Sequence, residues 1–292
     1  MKKLFLVMAA GLLLASCSKK EGLTTVQPQE LTPVHVRVDD FTITVDTIPN
    51  RDGIPGYNGV KAVTLAFYTD NGTEQYKVTQ LRSDPTTYTT FGEFDLSLPM
   101  GSYTMVVLGY ALYDDDELTL TSPTQAEYTV GCVRETFAAT QVVNINNTNG
   151  VSLSAALDRV VAKLQVVSTD GKTANASKVR MTFSAGSKRF SPTTGLATLN
   201  TGSVSIVSIG AAVGSTSSSI GYVFLATDEQ TMTITIDVLD ADGQSISHKV
   251  VNNVPFQRNR NTKLTGSLYT AGTNGSFTIN TTWLEGDYEV NF

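Results

Sequence analysis

The feature that most restricts this chain is an alternation of apolar and hydroxylated residues, with a period of two, over most of its length. Val34, Val36 and Val38, then Phe41, Ile43 and Val45, place apolar groups on one face with polar residues between them. A period of two is that of a half-buried strand, and the β-branched residues that dominate it stiffen an extended backbone. The Asp39-Asp40 pair predicts a kink in that first strand. The same pattern predicts strands over 60–68, 76–81, 91–98, 103–112, 127–133, 136–145, 179–184, 204–209, 221–226, 232–239, 245–251, 263–269, 277–283 and 288–292. Asn71-Gly72 and Asp242-Gly243 accept the positive φ angles of tight hairpins, so each predicts one. Pro99-Met100-Gly101 predicts a further hairpin between 91–98 and 103–112. Residues 153–167 fit two periods: Leu153, Leu157, Val160, Val161 and Leu164 lie at helical spacing, while Val160, Ala162, Leu164 and Val166 alternate. Their β-branched content favours a strand over 160–167. Short strands with turn signals and no clear helix predict an all-β chain of two tandem antiparallel β-sandwich domains. The Asn/Gly run at 146–150 sets the expected boundary, giving domains 34–149 and 150–292.

The chain opens differently. Lys2 and Lys3 precede an apolar run that is too short to span a bilayer, and small residues close it, the layout of a signal peptide over 1–16. Leu14-Ala15-Ser16-Cys17 resembles the lipobox of bacterial lipoproteins, which implies that Cys17 is lipidated and becomes the mature N-terminus. In that sorting pattern Ser18, in place of aspartate, favours the outer membrane. Residues 17–33, polar and containing Pro28 and Pro33, read as a tether. The one other cysteine is Cys132, so with Cys17 lipidated no intrachain disulfide forms and stability comes from packing. A 41% hydrophobic content suffices for a sizeable core, and the net charge of −6 argues against nucleic acid or an anionic membrane surface as partner.

Catalytic signals are missing from the sequence. His35 and His248 both sit in strand patterns, and no G-x-S-x-G, H-E-x-x-H or Walker loop occurs. The four consecutive carboxylates at 114–117 lack EF-hand spacing and read as a solvated loop. Asp46, Asp95 and Asp237 read as polar-face strand residues, and Trp283 as core. These readings predict no enzyme, no cofactor and no metal. The terminal alternation of Leu284, Tyr288, Val290 and Phe292 also occurs at the ends of outer-membrane barrels. Serine and threonine on the second faces, with 8% aromatic residues, do not supply the lipid-facing bands a barrel needs.

Several stretches carry a family resemblance. They are the lipobox, Val63-Thr64-Leu65-Ala66-Phe67-Tyr68 running to Asn71-Gly72, and Leu98-Pro99-Met100-Gly101-Ser102-Tyr103-Thr104. Leu157-Asp158-Arg159-Val160-Val161-Ala162-Lys163-Leu164 follows, and then Val254-Pro255-Phe256-Gln257-Arg258-Asn259-Arg260-Asn261-Thr262 leading into Leu264-Thr265-Gly266. In this order they resemble the fimbrillin superfamily of Bacteroidales type V pili, especially the FimB-like anchor and minor fimbrial subunits. The resemblance implies two transthyretin-like sandwiches, other fimbrial subunits as partners, and a surface-exposed place on the cell outer membrane, held through the lipid at Cys17. It also implies assembly by strand exchange, in which a protease cuts after an arginine, a first strand leaves, and another subunit's terminal strand fills the groove. On this chain the implied removable strand is 34–45 and the implied cut follows Arg51. Phe277, Ile279, Trp283, Tyr288, Val290 and Phe292 alternate near the end of the chain and read either as the donor strand or as the completion of its own C-terminal sandwich. An uncut chain keeps its lipid and is an anchor, whereas a cut one is a polymerising stalk subunit. A surface glycan-binding lipoprotein is the alternative, with host or bacterial surface ligands as its partners.

Overall fold

The computed structural model describes residues 30–42, 59–84, 86–113, 116–270 and 277–280. Its strands, in chain order, begin with β1 (Leu31–Thr42), β2 (Ala62–Thr69), β3 (Glu74–Leu81), β4 (Glu93–Pro99) and β5 (Gly101–Tyr110). Next come β6 (Glu117–Ser122), β7 (Gln125–Val130), β8 (Thr136–Ile145), β9 (Val151–Arg159) and β10 (Ala162–Ser168). β11 (Lys178–Phe183), β12 (Arg189–Ser191), β13 (Leu196–Ala197), β14 (Ser203–Ser208) and β15 (Ser218–Val223) follow. β16 (Glu229–Leu239), β17 (Ser245–Gln257), β18 (Asn261–Gly266) and β19 (Phe277–Asn280) complete the set. The chain is all-β, as the alternation predicts.

Seven strands form one sheet in the order β3-β2-β5-β8-β9-β1-β4. β8 and β9 share only the pairs Phe137↔Arg159 and Ala138↔Asp158, so the sheet folds there into two layers, β3-β2-β5-β8 and β9-β1-β4. Between the layers lies a core of Val34, Val36, Leu65, Phe67, Met105 and Phe137 with their neighbours. A second sandwich packs β15-β10-β18-β19 on β14-β11-β16-β17 around Leu164, Met181, Phe183, Ile234, Ile236 and Phe256. Two neighbour pairs, β1 with β9 and β10 with β18, run parallel. Strands so distant in sequence are free of the antiparallel constraint that a hairpin imposes.

The predicted hairpins at Asn71-Gly72 and Asp242-Gly243 form, with Gly72 at φ 80° and Gly243 at φ 81°. The hairpin predicted at Pro99-Met100-Gly101 does not. β4 pairs with β1, and β5 pairs with β2 and β8. The turn instead carries the chain from one layer to the other, because Val34, Val36, Leu98 and Met105 must meet across the core rather than along one sheet. The run at 146–150 joins β8 to β9 within the first sheet, and the chain passes to the second sandwich at Val160-Val161.

A third core joins the two halves. β2 is buried on both faces: Val63, Leu65 and Phe67 enter the first core, while Ala62, Ala66 and Tyr68 face the third. That outer face is covered by the small sheet β13-β12-β7-β6, whose strands come from both halves of the chain. β7 and β12 pair at Ala126↔Phe190 and Glu127↔Arg189, and the Arg189 guanidinium lies 2.6 Å from the Glu127 carboxylate. Beside the crossover, Arg159 (2% exposed) forms an ion pair of 2.7 Å with Glu135 (5% exposed) and donates to Asn259 Oδ1. Asn259, at φ 60°, donates its backbone N–H to the Val161 carbonyl, so the Arg258-Asn259-Arg260 turn docks on the crossover.

Candidate functional site

β1 lies between two strands that do not pair with each other. On one side it runs antiparallel to β4, from Leu31↔Pro99 to Arg37↔Glu93. On the other it runs parallel to β9, from Val34↔Val151 to Thr42↔Asp158. Val34, Val36 and Val38 are at most 2% exposed and fill the first core from this position. Burial of three valines is worth roughly 5–9 kcal/mol at about 1.5–3 each. His35 and Arg37 face outward against carboxylates of β4, with His35 Nδ1 2.8 Å from Asp95 and Arg37 Nε 4.0 Å from Glu93. The kink predicted at Asp39-Asp40 is a register shift between Val38 and Asp40 in the ladder with β9. There the Val38 N–H donates to the Gly92 carbonyl, and Gly92 holds φ at 88°.

Two buried side chains hold β4 from outside this ladder. Gln80 of β3 donates from Nε2 to the Glu93 carbonyl (2.6 Å) and accepts from the Gly92 N–H at Oε1 (2.8 Å). Tyr103 of β5 donates its hydroxyl to the Pro99 carbonyl (2.8 Å), with its ring edge-on to Phe67. β3 and β4 stand at opposite ends of the sheet order, so the Gln80 amide closes the seam where the folded sheet meets itself. Gln80 was not singled out in sequence, since a glutamine in a polar alternation carries no sign of burial.

At the other end of the molecule, Asp170 receives hydrogen bonds from Ser267 Oγ, the N–H groups of Leu268, Tyr269 and Thr270, and Thr270 Oγ1, all at 2.7–2.9 Å. Burial alone would raise its pKa, but these donors outweigh it and hold the carboxyl at about 2. Lys249, 3% exposed, donates to the Thr270 carbonyl. The segment ahead of the C-terminal residues is therefore fastened to the second sandwich. The sequence around Asp170 carries no sign of these donors, which lie almost a hundred residues further on.

Of the donor residues, Phe277 and Ile279 lie in β19, which pairs with β18 at the edge of its own sheet and packs half-buried on the second core. Cys17, Arg51, Trp283, Tyr288, Val290 and Phe292 fall outside the described residues, as do residues 114 and 115. Asp116 is committed to Arg134, at 2.5 Å from its Nε, and to the Cys132 N–H. Cys132 Sγ accepts from the Ile206 N–H. Asp237 is shared among Arg180, His248 and Ser245; burial opposes its ionisation, and the His248 and Arg180 bonds lower its pKa on balance. A cleft of about 410 Å³ lies between the β2–β3 turn and the β4–β5 step, lined by Asp70, Asn71, Gln75, Met100 and Ser102. Its one aromatic residue, Tyr103, is 3% exposed and presents no stacking face. Among the described residues, no group of three or more His, Cys, Asp or Glu side chains is placed to hold a metal.

Two sandwiches sharing a sheet and a third core, with the first strand inserted between two neighbours that do not pair with each other, define a class of double β-sandwich proteins. The chain belongs to the family of unknown function DUF6562, whose model matches residues 56–291. No curated protein matches the sequence. Among solved structures it is similar to a candidate adhesin from Bacteroides ovatus, with 12% identity over 89% of this chain and 97% of that one, at a TM-score of 0.52. It is also similar to a candidate polysaccharide-binding protein (DUF1812) from Bacteroides thetaiotaomicron, with 11% identity over 86% and 96% of the two chains, at a TM-score of 0.51. The fimbrial anchor protein Mfa2 from Porphyromonas gingivalis matches 86% of this chain and 97% of its own at 14% identity, with a TM-score of 0.47. The all-β fold of β-sandwich domains expected from the sequence is the fold of this chain.

Proposed function

We propose that this protein is a surface lipoprotein and a structural subunit, anchor or minor component, of a type V fimbria that assembles by strand exchange. The observation carrying this reading is the seat of β1, which contributes three buried valines and two ladders while remaining remote in sequence from β9. A strand so placed is separable in principle. Without it, β9 and β4 present unpaired backbone groups along an apolar groove, which another subunit's extended segment fills by main-chain bonding and alternate side chains. In this proposal Cys17 carries the lipid, the tether expected over 17–33 stops at residue 30 because Leu31 opens β1, and Arg51 lies on the connection between β1 and β2 where a cut would free β1. The division between the two domains that this proposal adopts is Val160-Val161, because β9 still belongs to the first sheet and β10 to the second sandwich.

We place it as an anchor because β19 already pairs within its own sandwich and the lipid tether adjoins β1. The test is the N-terminus of the protein recovered from cell-surface filaments, together with membrane partition of a Cys17→Ala variant. An anchor retains a lipidated Cys17 and an intact β1, and Cys17→Ala becomes soluble. A new N-terminus after Arg51 makes it a stalk subunit, and unchanged partition of Cys17→Ala removes the lipid anchor altogether.

A further inference from the structure

The strands flanking β1 face a hazard if β1 leaves. β4 is antiparallel to β1 and β1 is parallel to β9, so β4 and β9 are antiparallel to each other. Two antiparallel strands with free edges pair directly unless something holds them a strand's width apart, about 5 Å more than a ladder allows. Such collapse would seal the groove before any partner arrived. β4 has no ladder in the described structure except the one with β1. Its hydrogen-bonded ties to strands other than β1, among the described residues, are at its two ends: Gln80 to Gly92 and Glu93, and Tyr103 to Pro99.

We infer that Gln80 and Tyr103 are positioning residues that keep the β1 groove at the width of one strand, so that it receives an incoming segment instead of closing on itself. This rests on the strand-exchange reading given above. The Gln80 amide does so as a surrogate peptide group. It offers one acceptor to Gly92, just ahead of β4, and one donor to Glu93, its first residue, as a neighbouring strand would, but from β3 on the far side of the seam. Gln80 and Tyr103 are 7% and 3% exposed, so water does not compete well for either tie. Neither depends on β1, since both reach β4 from β3 and β5. The first core supports the same geometry from beneath, because Phe94 and Leu98 of β4 pack with Phe67 and Tyr103.

The experiment uses the full chain with a site-specific protease sequence placed over 51–56 and cut once, so that both pieces remain present. A fluorescent peptide with the sequence of residues 31–42 is added in excess, and capture is followed by anisotropy. Gln80→Leu, Gln80→Met and Tyr103→Phe are compared with Thr64→Val. Thr64 is a buried control in the same sheet whose hydroxyl bonds Thr79 and Tyr110 and does not touch β4. Loss of either tie weakens capture by about tenfold, the scale of one or two buried hydrogen bonds. Thr64→Val captures within about twofold of the unsubstituted chain at a comparable loss of melting temperature. Unchanged capture in all three pin variants overturns the inference, as does an equal loss in the control. No capture by the unsubstituted cut chain overturns the strand-exchange reading itself, and the role of the two residues with it.

Discussion

Replacing Phe224 by alanine tests whether the two halves of the chain are energetically one body. Phe224 is fully buried just beyond β15, with its ring stacked 4.1 Å from Phe190 of β12 and 6.3 Å from Tyr128 of β7. The stack therefore draws one ring from the first half and two from the second, at the place where β7 and β12 pair. A buried Phe→Ala change costs about 3–5 kcal/mol in transfer and cavity terms. For a chain of this size each kcal/mol lowers the melting temperature by about 2–4 °C, so the expected drop is roughly 6–20 °C. The location of the loss is the sharper readout. Calorimetry should change from one cooperative transition to a broadened or split one. Amide exchange should rise in β6 and β7 as well as in β12 and β15, because the third core is common to both. A variant that loses protection only beyond Val160, with β6 and β7 unaltered, would refute the coupling.

Two further outcomes are expected. Asp170 is held at about 2, below the ordinary aspartate value of 3.8, so its contribution to stability is present above that ordinary value and is lost as the pH falls from about 4 towards 2. Amide exchange at Leu268, Tyr269 and Thr270 should accelerate over that interval, and Asp170→Asn should flatten the pH dependence; an unaltered slope in the variant assigns the effect elsewhere. Deleting residues 288–292 should destabilise an anchor by several kcal/mol, roughly the cost of withdrawing large residues from a core. A truncated chain that melts normally yet halts filament assembly would make this protein a stalk subunit.

Most of the strands were legible because their periodicity survives in single stretches. Residues 136–145, predicted as one strand, are β8 to the residue. β9 was obscured because Ala155 and Ala156 occupy opposite faces, leaving Leu153 and Leu157 at a spacing that a helix also satisfies. β12 and β13, with three and two residues, are too short to show any period, and β6 begins at Glu117, the last of four carboxylates that read as loop. β6, β12 and β13, together with β7, form the sheet that joins the halves, so the interface was the least visible part of the fold. Pairing of remote strands has no local signature either: nothing in Val34 to Val38 announces β9 as a neighbour. The candidate site was half legible on the same grounds. The apolar face of β1 and its kink follow from alternation, whereas Gln80, Tyr103 and Asp170 act through partners that only the folded chain brings near.

The parallel pairing of β1 with β9 also sets an order of events. Residues 31–42 are made early, yet one of the two neighbours that seat them, residues 151–159, is made more than a hundred positions later. Closing so long a loop is the slow, entropically expensive part of building such a sheet. The first strand to be synthesised is thus among the last to be seated. For that interval the chain resembles a lock assembled before its key, and any extended segment nearby competes for the slot on equal chemical terms. On the surface-lipoprotein reading proposed above, export becomes a window in which the chain's own strand must win a race.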